Sequence, residues 1–470
     1  MQLIRGTQKP SMSSRGGSRL AALLSLAFLL GGCALYHPLP LARGPDLAGS
    51  LSSLRTEVPA GRRGASPRRI AVDGPLDIDD VGLLAVLNDP ALRSEQGQMD
   101  AAQASLLQSS LLPNPTASVD YGELLGGAGG FSPAWAASLT EDVKSILTYH
   151  TRRKSARFQS QQVNADLLWQ EWQVAQAARL LALDLYYGQQ SLDLSRLELG
   201  LLDQEVKDVR AATEAGNLDL TALAPLLTAK AGAEQAVASL GLTQMQSWQA
   251  LDALLGLDPE VRFAIAAPTL RALPANLAPL LAGLPDRRPD LVALQLGYRS
   301  ADEDVRSAII GQFPALALGG QWGQDTTNVR SAGPTATFDL PIFDRNQGQV
   351  AQTRATRLML HEQYQSRLDD AFGTVTGLHA QIRRLTDDVR KAMSAAAAAD
   401  AVSESAQKAY AQGNMDQRSL ADFETTALDR RVETFALERS LGESEIILTV
   451  ELGLGLPQAR IVPPSNPRKP

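Results

Sequence analysis

The fold is decided by residues 178–209, which read ARLLALDLYYGQQSLDLSRLELGLLDQEVKDV. Apolar side chains recur in this stretch at steps of seven residues, at Ala178, Leu185, Leu192, Leu199 and Val206. A second line is formed by Leu181, Leu202 and Val209. A seven-residue apolar repeat predicts a helix that packs against neighbouring helices as in a coiled coil.

A second helix of the same kind is predicted closer to the carboxyl terminus. No proline occurs between Pro341 and Pro457, and residues 347–412 are mostly helix formers. At about 1.5 Å per residue such a helix extends on the order of 100 Å, several times the diameter of a small domain. The small residues at 394–401 are expected to let a neighbouring helix approach closely.

The chain contains the same unit twice, with matching positions about 199 residues apart. Each copy reads as a helix, a pair of strands, one very long helix, a Gly-Asn turn and a returning helix. We therefore predict a first repeat at 76–284, a second repeat at 285–457 and a tail at 458–470. The matching positions include Pro115 with Pro314 and Leu255 with Leu454, and also Gly216 with Gly413, which match within two residues of this spacing.

Short strands are predicted at 116–122 and 135–142 in the first copy, and at 315–322 and 335–340 in the second. Their alternation of larger apolar with small or polar residues is the weak signature of a transmembrane β-strand. A surface hairpin is the alternative. Four strands cannot close a barrel, and lipid does not tolerate an open sheet edge, so strands in a membrane would need several chains. Three chains would supply twelve strands.

The amino terminus has the layout of an export signal. Four basic residues precede an apolar run at 20–30, which is too short to span a bilayer. The run ends in Leu30-Gly31-Gly32-Cys33, which resembles the lipobox of bacterial lipoproteins. The resemblance implies that residues 1–32 are a cleaved signal peptide and that Cys33 receives a diacylglycerol. Ala34 in the next position implies the outer membrane.

Cys33 is the only cysteine, so an intrachain disulfide is excluded, and a free thiol is the alternative to acylation. Residues 33–75 are rich in Pro, Gly, Ser and Arg and are predicted to form an acylated N-terminus and extended linker. Removing residues 1–32 takes away four basic residues and no acidic one, which moves the formal charge from -7 to -11. This balance argues against nucleic acid as a ligand.

Three sequence blocks carry a family resemblance. They are Arg-Arg-Pro-Asp-Leu at 287–291, Gln-Phe-Pro-Ala-Leu at 312–316 and Phe-Asp-Leu-Pro-Ile-Phe-Asp at 338–344. With the duplicated order, they resemble the outer membrane efflux protein family, the TolC-like channel tunnels, over residues 76–457. The stretch at 340–348 is more similar to the heavy-metal cation efflux branch. The first copy departs from the pattern, with Leu-Thr-Glu-Asp-Val at 139–143 where Leu-Pro is expected.

The resemblance implies a mainly α fold with a small β part, built from a duplicated unit of long coiled-coil helices and four β-strands per chain. It implies a homotrimer, with a trimeric α-helical barrel across the periplasm and a shared twelve-stranded β-barrel in outer membrane lipid. It also implies docking with a periplasmic adaptor protein and an inner-membrane efflux pump.

Two turns are predicted where the long helices reverse. Gly or Asn can adopt the positive φ of a helix stop, and a following aspartate can cap the next helix. By resemblance, these tips contact a helical hairpin of the adaptor, although they could equally be plain turns. The residues are Gly216, Asn217 and Asp219 in the first copy and Gly413, Asn414 and Asp416 in the second.

Asp416 and Asp422 lie six residues apart on the returning helix of the second copy. By resemblance they are placed near a closed aperture of the tube. A ring of acidic groups from three chains would select cations and narrow the pore. The equally open alternative is that both carboxylates are solvated on an exposed helix face.

No enzyme chemistry is predicted. The four histidines are mutually distant in sequence and stand at no metal-ligand spacing, so neither a metal nor a cofactor is expected beyond the lipid on Cys33. The chain has no Walker A sequence, so energy must come from a partner. We predict a passive exit duct, with a lipid-anchored periplasmic coiled-coil scaffold without a pore as the alternative. Only the duct needs strand hairpins in membrane register.

Overall fold

The computed structural model describes residues 36–58, 68–126, 129–269 and 276–454. Residues 36–46 belong to a first unit, and their described part contains no helix or strand. All elements named below belong to the second unit, which begins at Leu47. The predicted signal peptide, Cys33 and the tail at 458–470 lie outside the described residues.

The second unit is mainly helical and contains one antiparallel sheet of four strands, which confirms the predicted fold class of the chain. The strands of this sheet are β3 Thr116–Gly122, β4 Ala134–Asp142, β5 Leu316–Gln324 and β6 Arg330–Phe338, in chain order. A second sheet pairs β1 Glu57–Val58 with β2 Arg68–Arg69. The described helices are α1 Ile78–Asn88, α2 Pro90–Ser109, α3 Val143–Glu214, α4 Leu223–Leu255, α5 Ala278–Ala282, α6 Leu284–Arg287, α7 Pro289–Ile310, α8 Gln347–Ala411 and α9 Gln417–Glu451.

The two long helices are α3, with 72 residues, and α8, with 65 residues. At 1.5 Å per residue, each is about 100 Å long. Four of the five predicted heptad residues of α3 are buried, and Leu199 is half-buried. Among the described residues, no helix combines the length and the apolar character needed to cross a bilayer.

Helix α8 buries a heptad of its own, which the sequence analysis missed. Val375, Ile382, Val389, Ala396 and Ser403 recur at steps of seven and are all buried. Of the small residues at 394–401, only Ala396 is buried. Within the single chain, this segment thus contributes one buried residue to the heptad, and the close approach of a neighbouring helix stays a prediction.

Strand β6 begins at Arg330, five residues before the predicted start of this strand. Pro334 lies within it, opposite Gly320 of β5. Proline cannot donate a ladder hydrogen bond, so it is tolerated only at a sheet edge, and β6 is an edge strand of this sheet. The hairpin before it is closed by the Asp325 carboxylate, which accepts hydrogen bonds from the N–H groups of Thr327 at 2.8 Å and Val329 at 3.0 Å.

The two corners between sheet and long helix differ. In the first copy β4 continues directly into α3, and the Asp142 carboxylate caps the helix by accepting from the Lys144 N–H at 3.0 Å. In the second copy residues 339–346 intervene, and Asn346 adopts φ 61° immediately before α8. Proline disfavours helix in the preceding residue, so Pro341 keeps Leu340 out of a helix and prevents β6 from continuing directly into α8.

The segment predicted to be an extended linker is packed over much of its described part. Leu54, Val58 and Ile70 are buried in the core formed with α1, α3 and α4. The Ala48 N–H also donates to the Gly256 carbonyl oxygen at 2.9 Å. The prediction of an extended linker is wrong for these residues. The Pro- and Arg-rich composition of the segment does not reveal its few apolar side chains, whose burial is favourable.

Candidate functional site

The four-stranded sheet has one apolar face. Residues directly opposite each other in an antiparallel ladder share a face, so the strand register assigns every side chain to one side. Charged or amide residues occur on this face only at its ends, at Glu141, Gln324 and Arg330. The apolar face contains Ala117, Val119, Tyr121, Trp135, Ala137, Leu139, Leu316, Leu318, Gly320, Trp322, Ala332, Pro334, Ala336 and Phe338.

The opposite face is made of small and polar residues, and Gln321 is the largest side chain on it. Ser118 and Ser138 lie opposite each other there, with their Oγ atoms 2.9 Å apart. Such a surface prefers contact with water. The remaining members are Thr116, Asp120, Gly122, Ala134, Ala136, Thr140, Asp142, Ala317, Gly319, Gly323, Ser331, Gly333, Thr335 and Thr337.

Aromatic residues lie at both ends of the apolar face. Tyr121, Trp135 and Trp322 are near the hairpin turns, and Phe338 lies at the end next to the long helices. Tyr121 is 67% exposed and Phe338 is 60% exposed in the single chain. An apolar band between two aromatic girdles is the pattern of an outer-membrane β-barrel.

The sheet is open within the described chain, because β3 and β6 each pair on one side only. An unpaired strand edge is a site for pairing with another strand, and in lipid it must be paired. Each edge therefore presents backbone N–H and C=O groups that another chain could satisfy.

Both predicted tips have the geometry of a helix stop. Gly216 has φ 76° and Gly413 has φ 73°, the left-handed conformation that glycine adopts without steric cost. In each copy the following Asn N–H donates back to the helix, which is the six-to-one bond of a Schellman motif. These bonds run from Asn217 to the Ala212 carbonyl oxygen at 2.8 Å and from Asn414 to the Ala409 carbonyl oxygen at 2.9 Å.

The aspartate after each tip caps the next helical segment. Asp219 accepts from the Thr221 N–H at 2.9 Å, and Asp416 accepts from the Ser419 N–H at 2.8 Å and from the Ser419 hydroxyl at 2.9 Å. The backbone hydrogen bond from Ser419 is the main cause that holds the pKa of Asp416 below its usual range. The Asp416 carboxylate is thus ionised at neutral pH and engaged in the cap.

Asp422 is exposed on α9, and its charge affects the pKa of Glu205 on α3. Glu205 is only 4% exposed. Burial raises the pKa of Glu205, the charge of Asp422 raises it further, and Arg418 opposes the shift. Glu205 was not predicted as a site residue, although Glu198 and Glu205 are seven residues apart, beside the apolar heptad of α3.

A buried ion network lies at the start of α7, within the first family-like block. Arg288 is 2% exposed, and its Nε and Nη2 donate to the two Asp290 carboxylate oxygens at 3.0 and 2.7 Å. Arg288 also donates to Glu451 of α9, and its Cζ lies 4.9 Å from the ring of Trp169 in α3. Arg367 of α8 donates to Asp290 at 2.9 Å. The network joins α3, α7, α8 and α9.

In the part of the chain that the structure describes, no three His, Cys, Asp or Glu residues are grouped in a way that could hold a metal ion.

Comparison with known proteins gives the same architecture. Residues 281–454 match the family described as "Outer membrane efflux protein". The curated outer membrane protein OprJ of Pseudomonas aeruginosa is 30% identical over 214 residues, which cover 42% of this chain and 42% of OprJ. The chain thus matches less than half the length of this relative.

Two solved structures agree in fold over most of their length. The Campylobacter jejuni CmeC outer membrane channel superposes with a TM-score of 0.67 at 15% identity, covering 90% of this chain and 95% of CmeC. The open state of the Neisseria gonorrhoeae MtrE outer membrane channel gives a TM-score of 0.66 at 16% identity, covering 90% of this chain and 99% of MtrE. Together, the family match over residues 281–454 and the shared fold show that this chain is similar to the outer membrane efflux proteins.

Proposed function

We propose that this protein is the outer-membrane exit duct of a tripartite efflux system. It conducts substrates passively from a periplasmic adaptor and an inner-membrane pump to the exterior. The observation that carries the proposal is the two-faced sheet, which has one side suited to lipid and one lined with small polar groups. Each hairpin of the sheet leads into a helix of about 100 Å, a length suited to crossing an aqueous compartment.

The active unit is proposed to be a homotrimer. Four strands are too few to enclose a lumen, and both outer edges of the sheet need partners in lipid. Three chains supply twelve strands, an even number within the range of bacterial barrels. The small residues of the polar face would then line an open, water-filled lumen.

The alternative is a lipid-anchored periplasmic coiled-coil scaffold without a pore. Such a protein would have no use for a sheet face on which Val119, Tyr121 and Phe338 are exposed between aromatic ends. An apolar surface of this kind is unfavourable in water and favourable in a bilayer. The hairpins therefore favour the duct over the scaffold.

Conductance of the purified protein in planar lipid bilayers tests the proposed duct. Variants of the acidic residues at the second tip test its ion selectivity. We expect steady single-channel currents with a preference for cations. If Asp416 and Asp422 of three chains surround the aperture, Asp422→Ala and the Asp416→Ala, Asp422→Ala double variant should raise conductance and weaken cation preference. Asp416→Asn is the control. It removes the negative charge and keeps the helix cap, because asparagine also caps helices.

Two results would contradict these proposals. Protein that inserts into the bilayer and carries no current would favour the scaffold. Wild-type conductance and selectivity in the double Ala variant would mean that the two carboxylates face solvent away from the pore.

The two tips are proposed to dock the adaptor's helical hairpin. Gly216→Pro and Gly413→Pro should impair efflux and reduce adaptor cross-linking severalfold, because proline removes the N–H and the left-handed φ that close each turn. Trimer mass and membrane insertion should stay unchanged. Gly373→Ala, in the middle of α8 where a Cβ meets no atom within 4 Å, is the matched control. Full cross-linking in both tip variants would assign docking to another surface.

We propose that Cys33 carries the lipid. Cys33 lies outside the described residues, so this proposal is supported by the lipobox sequence at 30–33. Mass spectrometry of the mature amino terminus should show an acylated cysteine, and an unmodified thiol would contradict the proposal.

For the substrate, the similarity at 340–348 makes metal cations the first class to test, by comparing metal tolerance of cells with and without the gene.

A further inference from the structure

Helices α3 and α9 run antiparallel and face each other along a polar seam. Gln417 Nε2 donates to Asp208 Oδ2 at 2.9 Å near the tip, and Arg439 Nε lies 2.9 Å from Asp184 Oδ1 at the other end of the seam. Along this seam, α3 presents Asp184, Glu198 and Glu205 at multiples of seven residues. The α9 residues repeat Glu443, Asp429 and Asp422 with the same spacing in the opposite direction.

The two series meet as carboxyl–carboxyl pairs. The charge of Glu443 acts on Asp184, that of Asp429 acts on Glu198, and that of Asp422 acts on Glu205. The residue numbers of each pair have the same sum, as expected of a constant register between antiparallel helices. Like charges that face each other across a helix interface weaken it when both are ionised.

The neighbouring seams also contain ion pairs between their helices. Between α3 and α4, Lys230 Nζ lies 2.5 Å from Asp203 Oδ1. Between α8 and α9, Arg431 Nε lies 2.9 Å from Asp400 Oδ1. The helices of these two pairs are thus joined by opposite charges as well as apolar heptads, and the acid pairs lie on the seam between the two helix pairs.

Two carboxyl oxygens on this seam are buried without a hydrogen-bond partner in the described part of the chain. One is Oε1 of Glu205, a residue that is only 4% exposed. The other is Oδ1 of Asp184: Arg439 Nε lies 2.9 Å away but directs its N–H to Glu443 at 2.7 Å, so this oxygen has an ion pair and no hydrogen bond. A buried unpartnered carboxylate is costly, and a proton removes its charge.

The pKa values of the α3 members agree with this geometry. Burial is the main cause that raises the pKa of Asp184 to about 6, against the attraction of Arg439. Burial also raises the pKa of Glu198 and of Glu205, and the facing Asp429 and Asp422 raise them further. The charged groups that act on Glu205 are Asp422, Arg418 and Asp416, all on α9 or at its cap.

We propose that the α3–α9 seam takes up protons at its carboxyl pairs and tightens when it does so, which makes the packing of the two helix pairs sensitive to pH. A protonated carboxyl can donate a hydrogen bond to its ionised partner, whereas two carboxylates repel each other. The consequence for conduction, a tube wall that loosens as pH rises, rests on the proposed function. The behaviour of the seam itself does not.

The direction of the effect follows from linkage. When the seam opens, the carboxyl groups regain water and their pKa values fall towards about 4. Protons therefore bind more tightly to the closed seam, and closure is favoured most below about pH 4. This advantage is lost as pH rises through the closed-seam values, near 6 for Asp184.

Hydrogen–deuterium exchange on the full-length protein in detergent tests the proposal. Exchange is measured at about pH 5 and about pH 7.5, corrected for the intrinsic effect of pH, with residues 371–396 of α8 as the internal reference. Relative to that reference, amides at 417–436 of α9 should exchange at least about tenfold faster at the higher pH, the factor for one pKa unit. The Asp184→Asn, Glu198→Gln, Glu205→Gln variant should be slow at both pH values.

The control is Asp193→Asn, an exposed acidic residue of α3, which should keep the wild-type pH response. Glu205→Gln alone should reduce the response if the triple variant does not assemble. A wild-type pH response in Glu205→Gln and the triple variant, or no pH response in the wild-type seam, would overturn the proposal. Protein that shows the seam response but no current at any pH would refute the duct and leave the seam inference standing.

Discussion

Arg288→Ala is expected to lower the free energy of unfolding by about 3–5 kcal/mol, the usual cost of removing one partner of a buried ion pair. Asp290 is 6% exposed, so the change leaves a buried carboxylate with Arg367 as its remaining cationic partner among the described residues. It also removes the contacts to Glu451 and Trp169, and thus a connection between the N-cap of α7 and helices α9 and α3. Chemical denaturation followed by circular dichroism measures the effect.

Arg390→Ala is the matched control, because Arg390 is 72% exposed and pairs with Asp387 on the same helix. Exposed pairs of this kind contribute about 0–1 kcal/mol. Arg288→Lys should recover only part of the loss, since lysine cannot reproduce the two parallel hydrogen bonds to Asp290. A cost of Arg288→Ala no larger than that of Arg390→Ala would mean that water or a rearranged Arg367 compensates Asp290.

Features that repeat locally could be predicted from the sequence. The heptad of α3 depends only on spacing, and the glycine stops at Gly216 and Gly413 depend on the residue type at one position. The first hairpin was predicted to within one residue for the same reason, since its strands alternate cleanly between turn residues. Local rules suffice where a single element decides the outcome.

Features that depend on two distant segments could not be predicted. The start of strand β6 is one example, because proline is tolerated in a strand only at a sheet edge, and the register of the tertiary structure is what places Pro334 there. The role of Arg288 needs Glu451, which is 163 residues away. The acid pairs of the α3–α9 seam need the antiparallel register of two helices, although the spacing of Glu198 and Glu205 was visible. In each case a local rule was overridden by a partner that only the tertiary structure supplies.

Leu139→Lys is expected to abolish assembly of the outer-membrane form, whereas Ser138→Lys should be tolerated. The two residues are neighbours on β4 and point to opposite faces of the sheet. Leu139 lies opposite Ala117 and Gly320 on the apolar face, and Ser138 lies opposite Ser118 and Gln321 on the polar face. A lysine on the lipid side of a barrel costs about 2–4 kcal/mol near the bilayer centre.

In the proposed trimer the cost of Leu139→Lys is repeated in each chain, about 6–12 kcal/mol in all, which is comparable to the entire stability of a typical folded protein, about 5–15 kcal/mol. The amount of trimer in the outer-membrane fraction, measured by gel mobility without heating, should fall below a tenth of the wild-type level. Ser138→Lys changes the same strand by the same side chain, so it controls for loss of β propensity and for added charge. It should leave the trimer in place and lower cation preference, because three positive charges then line the lumen. Equal loss of trimer in both variants would mean that the sheet has no lipid-facing side, and the reverse order would exchange the two faces.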